Sequence, residues 1–461
     1  MGRLIVVSNR VQPPADAGGG SVGGLAMALA AALREANGVW FGWSGRTTEV
    51  YTGQVALERT GGVTVATVDL EEQDVQEYYN GYANKTLWPL FHYRVDLSAY
   101  ERAFSEGYGR VNARFAEALL PMIRSDDVIW VHDYHLIPMA QELRRRGVAN
   151  RIGFFLHIPW PARRLLTTLP DHPKLVEALF DYDLVGFQTR DSLSAFEDYV
   201  TQVIGGEVVG SEATAFGRTV DMGAFPIGLD VDAFTATATG ETAQAEFEKM
   251  QVSLAGRQMV VGVDRLDYSK GLEERFLAYE QFLQDNEELR ERVFLLQIAT
   301  PSREEVDAYQ DIRARLDAVT GRINGAYATV DWVPIRYVNR AYRRDELAGI
   351  YRAAKIGLVT PLRDGMNLVA KEYVAAQDPD DPGVLILSEF AGASEQMTEA
   401  LIVNPFDREQ VAGAIARGLT MPRKERIERW QALMAGLKAF DLSAWQGAFV
   451  QALRGERSAA A

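Results

Sequence analysis

The stretch VIWVHDYHLIPMAQELRRRGVANRIGFFLHIPWP, residues 128–161, decides the fold. Two short runs rich in β-branched and aromatic residues, VIWVH and IGFFLH, flank a longer segment of helical character, which predicts strands over 127–131 and 152–157. Both runs are nearly continuous in apolar residues instead of alternating, as strands are when helices cover both faces of a parallel sheet. The same rhythm extends outward. Towards the N-terminus it gives strands at 4–8 and 63–70, and towards the middle of the chain at 184–189 and 220–227. Between Gly228 and Gly256 the composition turns polar and rich in Ala and Thr, which reads as an interdomain connection followed by a helix. A second series then begins, with strands expected at MVVGV (259–263), VFLLQIAT (293–300), ATVDWVP (328–334), IGLVTP (356–361), VLILS (384–388) and LIV (401–403). The chain is therefore expected to be α/β, with two doubly wound domains at 1–235 and 236–440. An amphipathic helix bearing Trp445, Phe449 and Leu453 lies in a closing segment, 441–461, that returns to the first domain. In open α/β sheets ligands bind beyond the carboxyl ends of the strands, so functional residues are sought just after strands.

Composition narrows the chemistry. The 461 residues include 48 Lys and Arg against 63 Asp and Glu, a formal net charge of −15. A chain so acidic is a poor general nucleic-acid binder, because phosphate-backbone affinity rests on clustered Lys and Arg. A local cationic pocket stays open to it. There is no cysteine, which excludes thiol nucleophiles, disulfides and Cys-ligated metal sites, and five histidines offer little for a His-rich metal centre. The opening MGRLIVVSNR has an apolar run shorter than a signal-peptide core, and no stretch reaches the roughly 20 apolar residues of a membrane span. A cytoplasmic protein without membrane contact is the expectation.

After the first strand comes a loop with Gly18, Gly19, Gly20, Gly23 and Gly24, opened by Arg10. Such glycines let backbone approach a ligand, and a following helix N-terminus favours anionic oxygens; a surface loop is the alternative. EYYNGYANKTLWPLFHY (77–93) is dense in aromatic residues, which suits either core packing or a sugar platform. Asp133 and His157 stand at the ends of the two strands quoted first, and a strand-end Asp is a natural acceptor for substrate hydroxyls. In the second half, VVGVDRLDYSKGL places Arg265 and Lys270 in the loop after a strand, ahead of Gly271 and a helix, the makings of a diphosphate clamp. Arg303 follows the next strand. In PLRDGMNLVAKEYVAAQ, Asp364 lies in a strand-end loop, a helix starts near Asn367, and Glu372 falls on its early turns. A helix start suits phosphate, and a Glu carboxylate can accept from both ribose hydroxyls. Two such carboxylates could instead form a glycosidase pair, although a hydrolase has no need of neighbouring diphosphate-binding cations.

Eight segments, VVSNR, GGLAMAL, EYYNGYANKTLWPLFHY, VHDYHLIPMA, GFFLHIPWP, RLDYSKGLEERFLAYE, RINGAY and PLRDGMNLVAKEYVAAQ, closely resemble in order and spacing the trehalose-6-phosphate synthases, a family of retaining glycosyltransferases. The resemblance runs from about residue 3 to 455. It implies a GT-B architecture, two Rossmann-like domains facing a central cleft with a C-terminal helix packing back on the body. It also implies glucose transfer from UDP-glucose to glucose 6-phosphate, no metal requirement, and a homo-oligomer such as a tetramer. Carried over by motif, Gly23 and Gly24 touch the donor, Arg265 and Lys270 neutralise its diphosphate, and Asp364 binds the donor sugar. Leu368 and Val369 offer amides to the phosphates, and Glu372 holds the ribose. On the acceptor side the resemblance assigns Arg10, Tyr79 and Arg303 to the phosphate, and Trp88 and Asp133 to the sugar. His157 is implied at the reaction centre, giving a catalytic set of His157, Asp133, Arg265, Lys270 and Asp364.

Overall fold

The computed structural model describes residues 2–11, 33, 38–60, 62–303 and 306–456. The chain divides into two compact units, Met1–Pro226 with Ser443–Ala461, and Ile227–Leu442. In the first, the strands are β1 (Leu4–Arg10), β2 (Val39–Thr48), β3 (Ala56–Thr60), β4 (Val63–Glu71), β5 (Val128–His132), β6 (Ile152–Phe155), β7 (Leu184–Phe187), β8 (Glu207–Val209), β9 (Glu212–Ala215) and β10 (Arg218–Ala224). They form one sheet in the order β3-β4-β2-β1-β5-β6-β7-β10-β9-β8. The seven central strands, from β4 to β10, are mutually parallel, and β3, β8 and β9 pair antiparallel at the margins. β5, β6 and β7 are buried along almost their whole length, which matches their unbroken apolar sequences.

One face of this sheet is closed by the helix Leu442–Arg454. Its buried Trp445, Phe449 and Leu453 pack on β5 and β6, with the Phe449 ring stacked 4.6 Å from Trp130. Gly153 and Gly186 form the floor: a Cβ on Gly186 would come within 2.6 Å of the Phe449 ring, so only glycine lets the helix settle this low.

The second unit holds β11 (Gln258–Arg265), β12 (Val293–Thr300), β13 (Ile335–Val338), β14 (Ile356–Val359), β15 (Val384–Ser388) and β16 (Leu401–Val403), all parallel, in the order β13-β12-β11-β14-β15-β16. This is the doubly wound order, with a switch point between β11 and β14. The corresponding reversal in the first unit falls between β1 and β5.

Several expectations need correction. Residues 328–334 are not a strand: Thr329 N–H donates to the Trp332 carbonyl in a tight turn, only Trp332 and Pro334 are buried, and pairing begins at Ile335. The Val330/Trp332 alternation imitates a strand, yet Val330 is exposed. The polar stretch after Gly228 holds two helices, Val231–Ala238, capped by Asp230, and Glu241–Leu254, in place of a connection and one helix. β2 was not anticipated. Among the described residues no helix is long and apolar enough to cross a membrane.

Candidate functional site

The switch point of the second unit gathers the charged residues that the sequence singles out there. β11 delivers Arg265 at its exposed end, and the loop beyond it is tied by the buried Asp267, whose Oδ1 accepts the Ser269 N–H at 2.9 Å. Gly271 adopts φ +63°, and a Cβ there would lie 2.6 Å from the Thr360 carbonyl oxygen, so glycine is needed for the turn into the helix Leu272–Asp285. That turn leaves Lys270 largely buried, with Nζ 2.5 Å from Asp364 Oδ2. Asp364 is held in place by its backbone: its N–H donates to the Phe390 carbonyl and its carbonyl accepts from Gly392 N–H. Asn367, at φ +75°, donates to Asp364 Oδ2 (3.0 Å) and accepts from Ala370 N–H (3.3 Å), so one side chain both orients the carboxylate and caps the helix Leu368–Ala376. The first-turn amides of Leu368 and Val369 have no acceptor within the helix and carry its positive end. On the next turn Glu372, almost buried, accepts from Arg344 Nε at 3.0 Å. Burial pushes its carboxyl pKa up, against the opposing pull of the Arg344 guanidinium.

Arg303 follows β12 with φ +49° and reaches back to the β11 loop. Its Nη1 donates to Tyr309 Oη (2.5 Å) and lies 3.3 Å from Asp267 Oδ2, which also accepts from Tyr309 (2.9 Å). Beneath this layer the fully buried Arg275 fastens the strand ends together. It donates to Asp264 (2.5 Å), Gln297 (2.8 Å), Thr360 (2.9 Å) and the Lys270 carbonyl (3.3 Å). Burial raises the Asp264 pKa, while Arg275 and Lys270 pull it down.

The first unit presents a different surface. At the end of β1 the Arg10 guanidinium stands 5.8 Å from the Trp43 ring and so close to Gly45, at φ +87°, that a Cβ there would collide with it. Trp43 meets Tyr79 edge-on at 5.7 Å, and Tyr79 stacks on His135 at 5.9 Å. Tyr79 and Trp88 are carried on a continuous helical stretch, the wide-wound Val75–Leu87 followed by Trp88–Phe91. Trp88 is buried against His92 (4.1 Å) and Tyr134 (5.7 Å). Asp133 takes φ +76°, a strained conformation for a residue with a side chain, held by its N–H to the Phe155 carbonyl and by Oδ1 accepting the His157 N–H at 3.2 Å. The His157 side chain is partly buried, Nε2 lying 2.9 Å from His132 Nδ1, and desolvation pushes its pKa down to about 3.

The structure thus brings Lys270, Asp364, Leu368, Val369 and Glu372 together in one unit, and Arg10, Tyr79, Trp88, Asp133 and His157 in the other. Arg303 belongs to the unit of Lys270 and Asp364. Gly23 and Gly24 lie outside the described residues. Sequence reasoning missed Trp43, Arg275 and Arg344. The aromatic run VWFGW (39–43) was a signal for the first; the two arginines carried none, since what sets them apart from surface arginines is the carboxylates they meet, Asp264 and Glu372.

The model of glycosyltransferase family 20 matches residues 5–455. A trehalose-6-phosphate synthase of Sinorhizobium fredii is 50% identical over 448 residues, spanning 96% of this chain and 97% of its own. Among solved structures, an α,α-trehalose-phosphate synthase (UDP-forming) from Burkholderia xenovorans in complex with glucose-6-phosphate superposes with a TM-score of 0.95 at 50% identity, covering 98% of this chain and all of that one. An E. coli structure described as bound with UDP-2-fluoro glucose gives 0.94 at 47% identity, with 98% and 99% covered.

Proposed function

The chain belongs to glycosyltransferase family 20, and from that premise we propose that it is a retaining transferase moving glucose from UDP-glucose to glucose 6-phosphate, with release of UDP and α,α-trehalose 6-phosphate. The observation that carries the reading is the Lys270–Asp364 contact beside the start of the Leu368–Ala376 helix. It sets a cation for phosphate, a carboxylate for sugar hydroxyls and helix amides for further phosphate oxygens at one switch point.

In the reaction the bond from the donor C1 to its phosphate oxygen breaks and a bond forms to the C1 hydroxyl oxygen of glucose 6-phosphate. The hydroxyl proton passes to the departing phosphate oxygen. Arg265 and Lys270 neutralise charge as it gathers on the diphosphate, which is where electrostatic catalysis acts most strongly. Asp364 accepts from donor-glucose hydroxyls, and Glu372, pre-set by Arg344, holds the ribose. Arg10, Tyr79 and Arg303 take the acceptor phosphate, with Trp88 and Asp133 shaping the place of its sugar; Trp43, which touches the Arg10 and Tyr79 surfaces, joins this set. A glycosidase pair is the weaker reading, because Asp364 and Glu372 are each already engaged by a cation. The reading extends to a metal-independent reaction, a homo-oligomer and a cytoplasmic location.

Purified protein incubated with glucose 6-phosphate and UDP-, ADP- or GDP-glucose in turn is expected to yield a disaccharide phosphate by mass only when donor and acceptor are both present, and best with UDP-glucose. No product with any donor would overturn the assignment.

A further inference from the structure

Three adjacent parallel strands of the first unit, β5, β6 and β7, each place one polar side chain at or just beyond the carboxyl end: His132, His157 and Gln188. These form a row. Gln188 Nε2 lies 3.4 Å from His157 Nδ1, and His157 Nε2 lies 2.9 Å from His132 Nδ1, with the two imidazoles stacked at 5.2 Å and 20°. Aromatic residues wall it in, with Trp130 4.5 Å from the His132 ring, Phe155 4.7 Å and Trp445 6.3 Å from that of His157. Among the described residues Asp133 is a further titratable group in contact with His157, its Oδ1 accepting the His157 backbone N–H.

Burial drives the charged forms of both imidazoles far down in pKa, so each ring is neutral and has one N–H and one lone pair. An amide nitrogen can only donate. With Gln188 Nε2 as the donor, His157 Nδ1 bears the lone pair and its Nε2 the proton, which is donated to His132 Nδ1. His132 in turn keeps its own proton on Nε2, an atom with no hydrogen-bond partner. A buried donor left unpaired destabilises a fold, and an apolar ring would fill the same space without it.

We infer that His132 is a positioning residue: its Nδ1 lone pair receives the His157 Nε2 proton and fixes the His157 ring in a single neutral tautomer and orientation. The consequence deepens the transferase reading, on which it rests for its kinetic part. A His157 imidazolium would pair with the neighbouring Asp133 carboxylate; kept neutral, it leaves that carboxylate available to sugar hydroxyls. With both ring nitrogens engaged within the strand row, His157 is not a proton acceptor in the transfer.

The test uses the full chain with ¹⁵N-labelled histidine, in which five histidines must be resolved. Two-bond ¹H–¹⁵N correlation, assigned by substitution, is expected to show His132 and His157 as Nε2–H tautomers that do not titrate between about pH 5 and about pH 8. His132→Phe keeps ring volume and removes the acceptor. There His157 is expected to change tautomer or begin to titrate in that window, and kcat to fall about tenfold or more with little change in KM for glucose 6-phosphate. His132→Asn, which offers an amide oxygen near the lost Nδ1, is expected to restore the tautomer and most of kcat. An Nδ1–H tautomer or ordinary titration of His157 in the unmodified protein would overturn the inference, as would unchanged kcat and His157 tautomer in His132→Phe. If His132→Phe does not fold, the unmodified protein and His132→Asn decide the matter. The spectra are recorded without substrate, so a failure of the transferase reading would show separately, as absence of product from the unmodified protein.

Discussion

Lys270 reaches Asp364 with only 9% of its side chain exposed, so the pair is little screened by water and both groups are fixed before a ligand arrives. Lys270→Met should lower kcat by roughly 10²–10³ while barely moving KM for glucose 6-phosphate, the pattern of an interaction made chiefly with the leaving group. Steady-state kinetics with each substrate varied would check it. Lys371, one residue before Glu372, differs in kind. It is 1% exposed, its Nζ donates to two neutral oxygens, the Ile227 carbonyl (2.7 Å) and Gln396 Oε1 (2.8 Å), and burial lowers its pKa from 10.5 to about 7. The folded protein releases this proton near neutrality whereas the unfolded chain keeps it to about 10.5, so between those values the unfolded state binds more protons and stability rises with pH. Relative to Lys371→Met, the unmodified protein should therefore gain up to about 1 kcal/mol per pH unit from pH 7 to pH 9, read as urea midpoints at both. The residues legible in the sequence were those whose type and place after a strand coincide, such as Lys270, Asp364 and Asp133. Arg344 and Arg275 were not legible, because what distinguishes them is the carboxylates they meet on other elements, Glu372 and Asp264.

At the scale of elements, continuous apolar runs were the reliable signal. β12, β15 and β16 coincide with the runs that suggested them; β12 and β15 are buried on both faces, and such strands carry few polar positions to blur their limits, whereas in β16 Ile402 is exposed and only its neighbours are buried. Where burial is one-sided or local the pattern misleads: at 328–334 the buried Trp332 in a turn, two residues after the exposed Val330, produced a strand-like alternation, and short β8 and β9 carry too few apolar residues to register. The wide winding of Val75–Leu87 leaves no mark in periodicity either. Its fit depends on Gly107 of the neighbouring helix, where a Cβ would collide with Glu77, a contact invisible until the two helices are placed. The Leu442–Arg454 helix gives the clearest energetic expectation. Phe449 is fully buried against Trp130, Phe155 and Phe225, over a floor of glycines that cannot collapse to fill a void. Phe449→Ala should destabilise the first unit by about 3–5 kcal/mol, measurable by thermal or urea unfolding followed through tryptophan fluorescence.

Across the whole molecule, the net charge of −15 coexists with cations placed one by one at strand ends, so bulk charge and local chemistry are independent design variables here. The two-unit organisation has a further property. The second unit begins and ends at one place: Leu442 N–H donates to the Leu229 carbonyl, and a side chain at Gly228 would strike the backbone of Asp441. Its own sheet and core lie between those points, so residues 227–442 expressed alone should fold cooperatively and bind UDP by calorimetry with an affinity near that of the full chain, yet transfer no glucose. An unfolded fragment would show that this unit depends on the first. The first unit, by contrast, is interrupted in the chain and completed only by the segment from Ser443 onward. On the ribosome, its sheet is synthesised early, but the helix that seals Trp130 and Phe155 appears only after a whole inserted domain, roughly ten to forty seconds later at ordinary translation speeds. During that interval an aromatic surface stands open on a nascent chain, which makes the order of synthesis, and the chaperones that meet it, part of how this molecule reaches its fold.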